Sequence, residues 1–263
     1  MTIGGPVTDE VARLANRIFE RPRNGGGAPA PGRGLFRLKN WYRRTCLSDT
    51  YLLNAHVARA ALETPAGSTL LDAGAGEQQY RWLFEHTRYV SCDFGKGDDA
   101  WNYRGLDVLC DLEAIPVASE SVDTCLLTEV LEHLAQPEPV MVEIGRVLKP
   151  GGRVYVTVPF AYPEHQVPYD FHRYTSFGIR RLAEVAGLDP VEVRMRTGLG
   201  GFLAFYIDVT LEDRAPKALV GVCRLLTVPL KILLHATDRE GGICIGFNCV
   251  LTKPLGRLPA EQP

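Results

Sequence analysis

The stretch Leu70-Leu71-Asp72-Ala73-Gly74-Ala75-Gly76-Glu77 decides the fold: an apolar run ends in an acid and passes into a loop with two closely spaced glycines. Four apolar-flanked residues of this kind read as a buried strand, and glycines at its exit let a ligand approach the backbone in the crevice that open α/β sheets offer. Working outward, short apolar runs recur at Tyr89 to Asp93, Asp107 to Asp111, Asp123 to Thr128, Arg153 to Val158, Val191 to Met195 and Ile243 to Leu251. Helical patterns separate several of them, notably Glu138 to Leu148, which stops at Lys149-Pro150-Gly151-Gly152, and a segment capped by Thr175 or Ser176 that ends before Gly187. Strands alternating with helices imply an α/β chain with a Rossmann-like, seven-stranded, mostly parallel sheet covered by helices on both faces.

The loop after the first strand discriminates between ligands. A dinucleotide-binding G-x-G-x-x-G would need a third glycine at position 79, which is Gln79. Asp72 places a carboxylate where a pyrophosphate would be repelled and where an ammonium and a sulfonium would be attracted, which favours S-adenosylmethionine. Asp93 ends the second strand, where a carboxylate can accept from both ribose hydroxyls. Asp111 ends the third strand, where it can accept from an adenine amino group while Leu112 packs on the ring, or simply form a turn.

Acids ending three successive strands above one glycine loop resemble the class I methyltransferases, in particular the type 11 group. The resemblance runs from about residue 68 to 160, on Leu70 to Gly76, Asp93, Asp111 to Pro116, Ser121-Val122-Asp123, Glu129 to Leu134, and Leu148 to Gly152. It implies that S-adenosylmethionine is the cofactor, bound by Asp72, Gly74, Gly76, Asp93, Asp111 and Leu112, with Glu129 beside the transferable methyl. One departure is Gln78, where the family often has a third glycine and where a side chain is expected to narrow the pocket. A relative that binds the cofactor without catalysis, and N- or C-methylation, stay open as alternatives.

After the fifth strand, Pro159 to Thr175 carries five aromatic residues and a His, Asp and Arg cluster between prolines, the kind of long loop that bears function on a rigid scaffold. It is similar to the Y-P-x-H-x-x-P-x-D-x-x-R-Y-T stretch of some type 11 methyltransferases encoded with saccharide-assembly enzymes. O-methylation of a small molecule or saccharide is the expected reaction. His165 is the candidate general base, Asp170 its orienting partner, and Arg173 and Tyr174 the candidate acceptor contacts. His133 reads as structural.

With 29 basic against 31 acidic residues, the net charge of −2 offers no field to recruit nucleic acid, so none is expected as substrate. Seven cysteines, mostly inside apolar runs, read as reduced buried residues, and no metal is expected. Met1 to Glu20 mixes Asp9, Glu10, Arg13 and Arg17 into its apolar residues, so no secretory leader is expected and a cytoplasmic location follows. The expected organisation is an N-terminal helix and Gly/Pro-rich linker (1–34), a helical cap (35–66), a core (67–199), a helical insert (200–240) and a last strand with tail (241–263). Within the insert, Lys217, Arg224 and Lys231 recur every seven residues amid leucines, with Pro229 expected to interrupt the helix. Such a stripe over 217–234 can rest peripherally on an anionic membrane, or be the solvated face of a helix packed on the core or on a homodimer partner.

Overall fold

A computed structural model describes residues 7–20, 33–97, 101–239 and 241–255. Seven strands form one sheet: β1 (Thr69–Ala73), β2 (Arg88–Asp93), β3 (Val108–Leu109), β4 (Val122–Thr128), β5 (Leu148–Pro159), β6 (Asp189–Met195) and β7 (Gly246–Thr252), in the order β3-β2-β1-β4-β5-β7-β6. β1 pairs in parallel with β2 and β4, β2 with β3, and β4 with β5. The order reverses between β1 and β4, and a doubly wound sheet opens its ligand crevice at the carboxyl ends of the strands that flank such a switch.

The described residues fall into two compact units. The first comprises Ala60–Pro159, Pro163–Val193 and the residues from Asn248 onward. Its centre is apolar on both strand faces, as parallel strands require: Leu70, Leu71, Leu126, Leu127, Val154 and Val156 are buried, as are Val140, Met141 and Ile144 of α4 (Pro137–Val147). Each such side chain contributes about 1.5–3 kcal/mol by leaving water. Near the bulge between Val122 and Thr124, Asp123 accepts from Thr69 N at 2.9 Å and from Lys149 Nζ at 2.8 Å, which ties β4 to the entries of β1 and β5. The helix α5 (Ser176–Val185) starts at Thr175, whose hydroxyl accepts from Gly178 N at 3.1 Å.

The second unit comprises the residues up to Arg59 together with Phe160–Tyr162 and Arg194–Phe247. It holds α1 (Asp9–Glu20), α2 (Arg33–Cys46), most of α3 (Ser48–Glu63), α6 (Leu199–Arg214) and α7 (Val220–Ala236). The helical cap expected over 35–66 holds most of α2 and all of α3, and most of the Gly/Pro-rich stretch before it lies outside the described residues. Val11, Ala15, Tyr51, Ala55 and Ala58 form its small core. The N-terminus of α6 is capped by Asp238, whose carboxylate accepts from Gly198, Gly200 and Gly201 N at 2.8–3.2 Å.

Two expectations about the insert are corrected. Pro229 does not interrupt α7, which continues through it to Ala236. The recurrence of Lys217, Arg224 and Lys231 is not a solvated basic stripe: Lys231 is 1% exposed and donates to Asp208 at 2.5 Å, and Arg224 pairs with Glu212 and Asp208. A charge buried this deeply must be paired, and Asp208 on α6 supplies the partner. Among the described residues, no helix is long and apolar enough to cross a membrane.

Candidate active site

The end of β1 brings the first glycines against β2. Gly74 N and Ala75 N donate to Cys92 O at 2.8 and 3.1 Å, so the loop folds back over the strand beside it. Gly74 has φ +77°, and a Cβ there would lie 2.5 Å from Val130 Cγ2, so only glycine fits. Gln78 also takes a left-handed φ of +57°, the backbone that a glycine at this place would supply. Its side-chain oxygen accepts from Arg81 Nε at 2.7 Å, and its amide nitrogen lies against Gly105.

Asp93 holds this loop through both carboxylate oxygens: Gly76 N donates to Oδ2 at 3.0 Å and Gly95 N to Oδ1 at 2.7 Å. Each oxygen keeps a second lone pair, so a diol can still be accepted. Asp72 is buried, accepts from the Tyr89 hydroxyl, and lies near Asp93. Desolvation pushes its carboxyl up to about 6, opposed by the Tyr89 hydrogen bond and reinforced by the charge of Asp93. A buried carboxylate above a glycine loop, held ionised only at a cost, is the counter-charge that an ammonium or sulfonium ligand needs. These residues therefore fit S-adenosylmethionine.

The other predicted cofactor contacts separate by burial. Leu112 is buried, whereas Asp111 is exposed and accepts from Glu113 N at 3.0 Å, a turn-forming bond. Glu129, at φ +51°, donates its backbone N–H to both Thr157 O and Thr157 Oγ1 at 3.1 Å, which sets it at the end of β4.

The loop after β5 is anchored over these strand ends. Phe171 N and His172 N donate to Glu132 O at 2.8 and 3.2 Å, His133 Nδ1 lies 2.5 Å from Tyr169 O, and the Tyr169 ring packs edge-on against Phe94 at 5.7 Å between centroids. Asp170 organises the loop from within. Arg173 donates to both its oxygens at 2.6 and 2.7 Å, and this pairing holds the carboxyl down at about 2. His165 N donates to Asp170 Oδ2 at 2.9 Å, while His165 Nδ1 lies 3.3 Å from the same oxygen and 3.2 Å from Pro163 O. Arg173 also donates to His172 O and Pro163 O. Tyr174 is buried and donates its hydroxyl to Leu131 O at 2.8 Å. Arg173 and Tyr174, expected at the acceptor, are thus engaged in holding the loop, and His165 is the member of the cluster whose ring is oriented by it.

Sequence reasoning assigned no role to Glu132 and read His133 as structural, and the fold brings both beside His165. Glu132 is fully buried, with Oε1 3.7 Å from His133 Nε2 and 3.9 Å from His165 Nε2, and the two imidazoles meet edge to face with centroids 4.8 Å apart. The available signal was their common placement at the exits of consecutive parallel strands, β4 and β5. Phe94, directly after Asp93, was also passed over; it is 41% exposed at the carboxyl end of β2.

Residues 71–156 match the family model described as a methyltransferase domain. The chain is similar to the tRNA (carboxymethyluridine(34)-5-O)-methyltransferase of Macaca fascicularis, 31% identical over 108 residues, 39% of this chain and 16% of that relative. It is also similar to an uncharacterized methyltransferase of Mycobacterium tuberculosis, 31% identical over 125 residues, 44% of this chain and 49% of that relative. The similarity thus spans half or less of these relatives' own length. Among solved structures, the Haloferax volcanii methyltransferase in complex with the Trm112 methyltransferase activator shares the fold at a TM-score of 0.52, with 23% identity over 82% of this chain and 96% of that one. The glycine loop, the acids at the ends of β1 and β2 and this match together support a class I, S-adenosylmethionine-dependent methyltransferase domain over residues 71–156.

Proposed function

We propose that the chain transfers a methyl group from S-adenosylmethionine to a hydroxyl of a small molecule or saccharide, with His165 as the general base. Asp72, Gly74, Gly76, Asp93 and Leu112 would hold the cofactor, which supplies a methyl already activated by sulfonium. What remains for the protein is to place the acceptor in line and to take its proton.

The observation that carries this reading is the orientation of His165. Its Nδ1 faces two acceptors, Pro163 O and the Asp170 carboxylate, so the Nδ1 proton is fixed there and Nε2 is left as the basic nitrogen. Arg173 holds Asp170 ionised, so the carboxylate can stabilise the imidazolium that forms. The aromatic contact between Tyr169 and Phe94 keeps the same loop over the end of β2.

The test is methyl transfer to a panel of hydroxyl acceptors, read as S-adenosylhomocysteine released. His165→Ala is expected to lower the rate about 10²–10⁴-fold with cofactor affinity unchanged. An unchanged rate removes His165 as base and moves N-methylation, which needs none, to the front.

A further inference from the structure

We infer that Glu132, His133 and His165 form a binding site for a transition-metal dication of the zinc class, and that its occupancy withdraws His165 Nε2 from the acceptor. One ligand atom from each residue lies within 4.8 Å of the others, with Glu132 Oε1 3.7 Å and 3.9 Å from the two Nε2 atoms. Ligands at zinc-type bond lengths in a tetrahedron are about 3.4 Å apart, so these two distances need to close by only about half an ångström.

The hydrogen positions point the same way. His133 Nδ1 faces Tyr169 O, and a carbonyl only accepts, so Nδ1 carries the proton and Nε2 presents a lone pair when the ring is neutral. Its Nε2 is buried and has no hydrogen-bond partner among the described residues. His165 repeats the pattern, with Nδ1 toward Pro163 O and Asp170 and Nε2 toward Glu132. Metal-bound histidines characteristically donate their outer N–H to a backbone carbonyl or a carboxylate, which fixes the tautomer and raises the basicity of the ligating nitrogen. Here both outer nitrogens are so engaged, and two imidazole nitrogens converge on a carboxylate that is 0% exposed. Two imidazoles and one carboxylate suit zinc, cobalt or nickel rather than magnesium, which prefers oxygen ligands and keeps its water.

Metal binding stands on this geometry alone, whereas inhibition rests on the reading of His165 as base. The two are separated by measuring the site without turnover. Cobalt(II) titrated into the metal-free full-length protein should saturate at one equivalent with visible ligand-field absorption, be displaced by zinc and resist magnesium. His133→Asn keeps a donor toward Tyr169 O but removes the Nε2 ligand, and Glu132→Gln removes the charge. Each should weaken cobalt binding at least about tenfold while the melting temperature shows the variant folded. Zinc should then inhibit methyl transfer by the parent protein reversibly with chelator, and His133→Asn should be spared. Cobalt binding that does not saturate, or that is unchanged in both variants, overturns the site. Saturable binding lost in both variants but without inhibition by zinc keeps the site and overturns the withdrawal of His165.

Discussion

Replacing Asp72 with asparagine should stabilise the cofactor-free protein and cripple cofactor binding at the same time. Burial moves this carboxyl from an ordinary 3.8 to about 6. At about 1.4 kcal/mol per tenfold change in proton affinity, keeping it ionised in the fold costs about 3 kcal/mol. The sign follows from linkage. Below about pH 4 the carboxyl is protonated in both folded and unfolded chains and costs nothing. Between about pH 4 and 6 the unfolded chain releases its proton while the folded one retains it, so stability falls, and above about pH 6 the full cost is present. Asp72→Asn retains an oxygen for the Tyr89 hydroxyl and abolishes the charge. Urea unfolding of the cofactor-free variant should therefore show a gain of up to about 3 kcal/mol at pH 8 that disappears near pH 4. Calorimetry at pH 8 should show cofactor affinity reduced 100-fold or more, since the buried counter-charge to the ammonium is gone. A variant less stable than the parent at pH 8, or a difference that is the same at pH 4 and pH 8, would refute the assignment of Asp72 as a strained counter-charge.

Tyr89→Phe removes the hydrogen bond that favours the ionised Asp72, so the pH at which cofactor affinity falls off on acidification should move upward, which calorimetry across pH 5–8 reads directly. Gly74→Ala meets both a left-handed backbone and Val130, and should cost about 1–3 kcal/mol in urea unfolding together with loss of cofactor affinity. Lys231→Ala leaves Asp208 facing a buried gap and should cost about 3 kcal/mol, whereas Lys231→Met combined with Asp208→Leu should recover most of it in thermal melts. Arg173→Lys keeps the charge but loses the two-pronged pairing with Asp170, and should lower the methyl-transfer rate about tenfold with little change in cofactor affinity, because the loop that orients His165 slackens.

The sheet and its glycine loop were legible because their signals are local. A parallel strand buried on both faces writes itself as a continuous apolar run, and the acids that end β1 and β2 sit directly on those runs. Boundaries were weaker. Lys149-Pro150-Gly151-Gly152 reads as a stop and turn, yet β5 begins at Leu148, because Gly151 N donates to Lys253 O and Lys253 N to Gly152 O. That pairing partner lies a hundred residues away and leaves no trace in local pattern. β3 is only Val108–Leu109, since Asp111 turns the chain by accepting from Glu113 N.

Distance in sequence hides more of the cluster around His165. His133 and His165 belong to different strand exits, and only the fold brings their rings to 4.8 Å. The same applies to Lys231, whose seven-residue spacing suggests a solvated face until α6 places Asp208 beside it. Helical periodicity fixes which residues share a face, whereas burial of that face is decided by the neighbouring helix.

Calorimetric titration of S-adenosylmethionine into the folded protein, beside Asp93→Ala, asks whether the ends of β1 and β2 hold the cofactor. Because Asp93 accepts from Gly76 N and Gly95 N and so holds the glycine loop, micromolar binding is expected that Asp93→Ala weakens at least about tenfold, or about 1.4 kcal/mol. No binding by protein shown to be folded, or binding indifferent to Asp93→Ala, would contradict it.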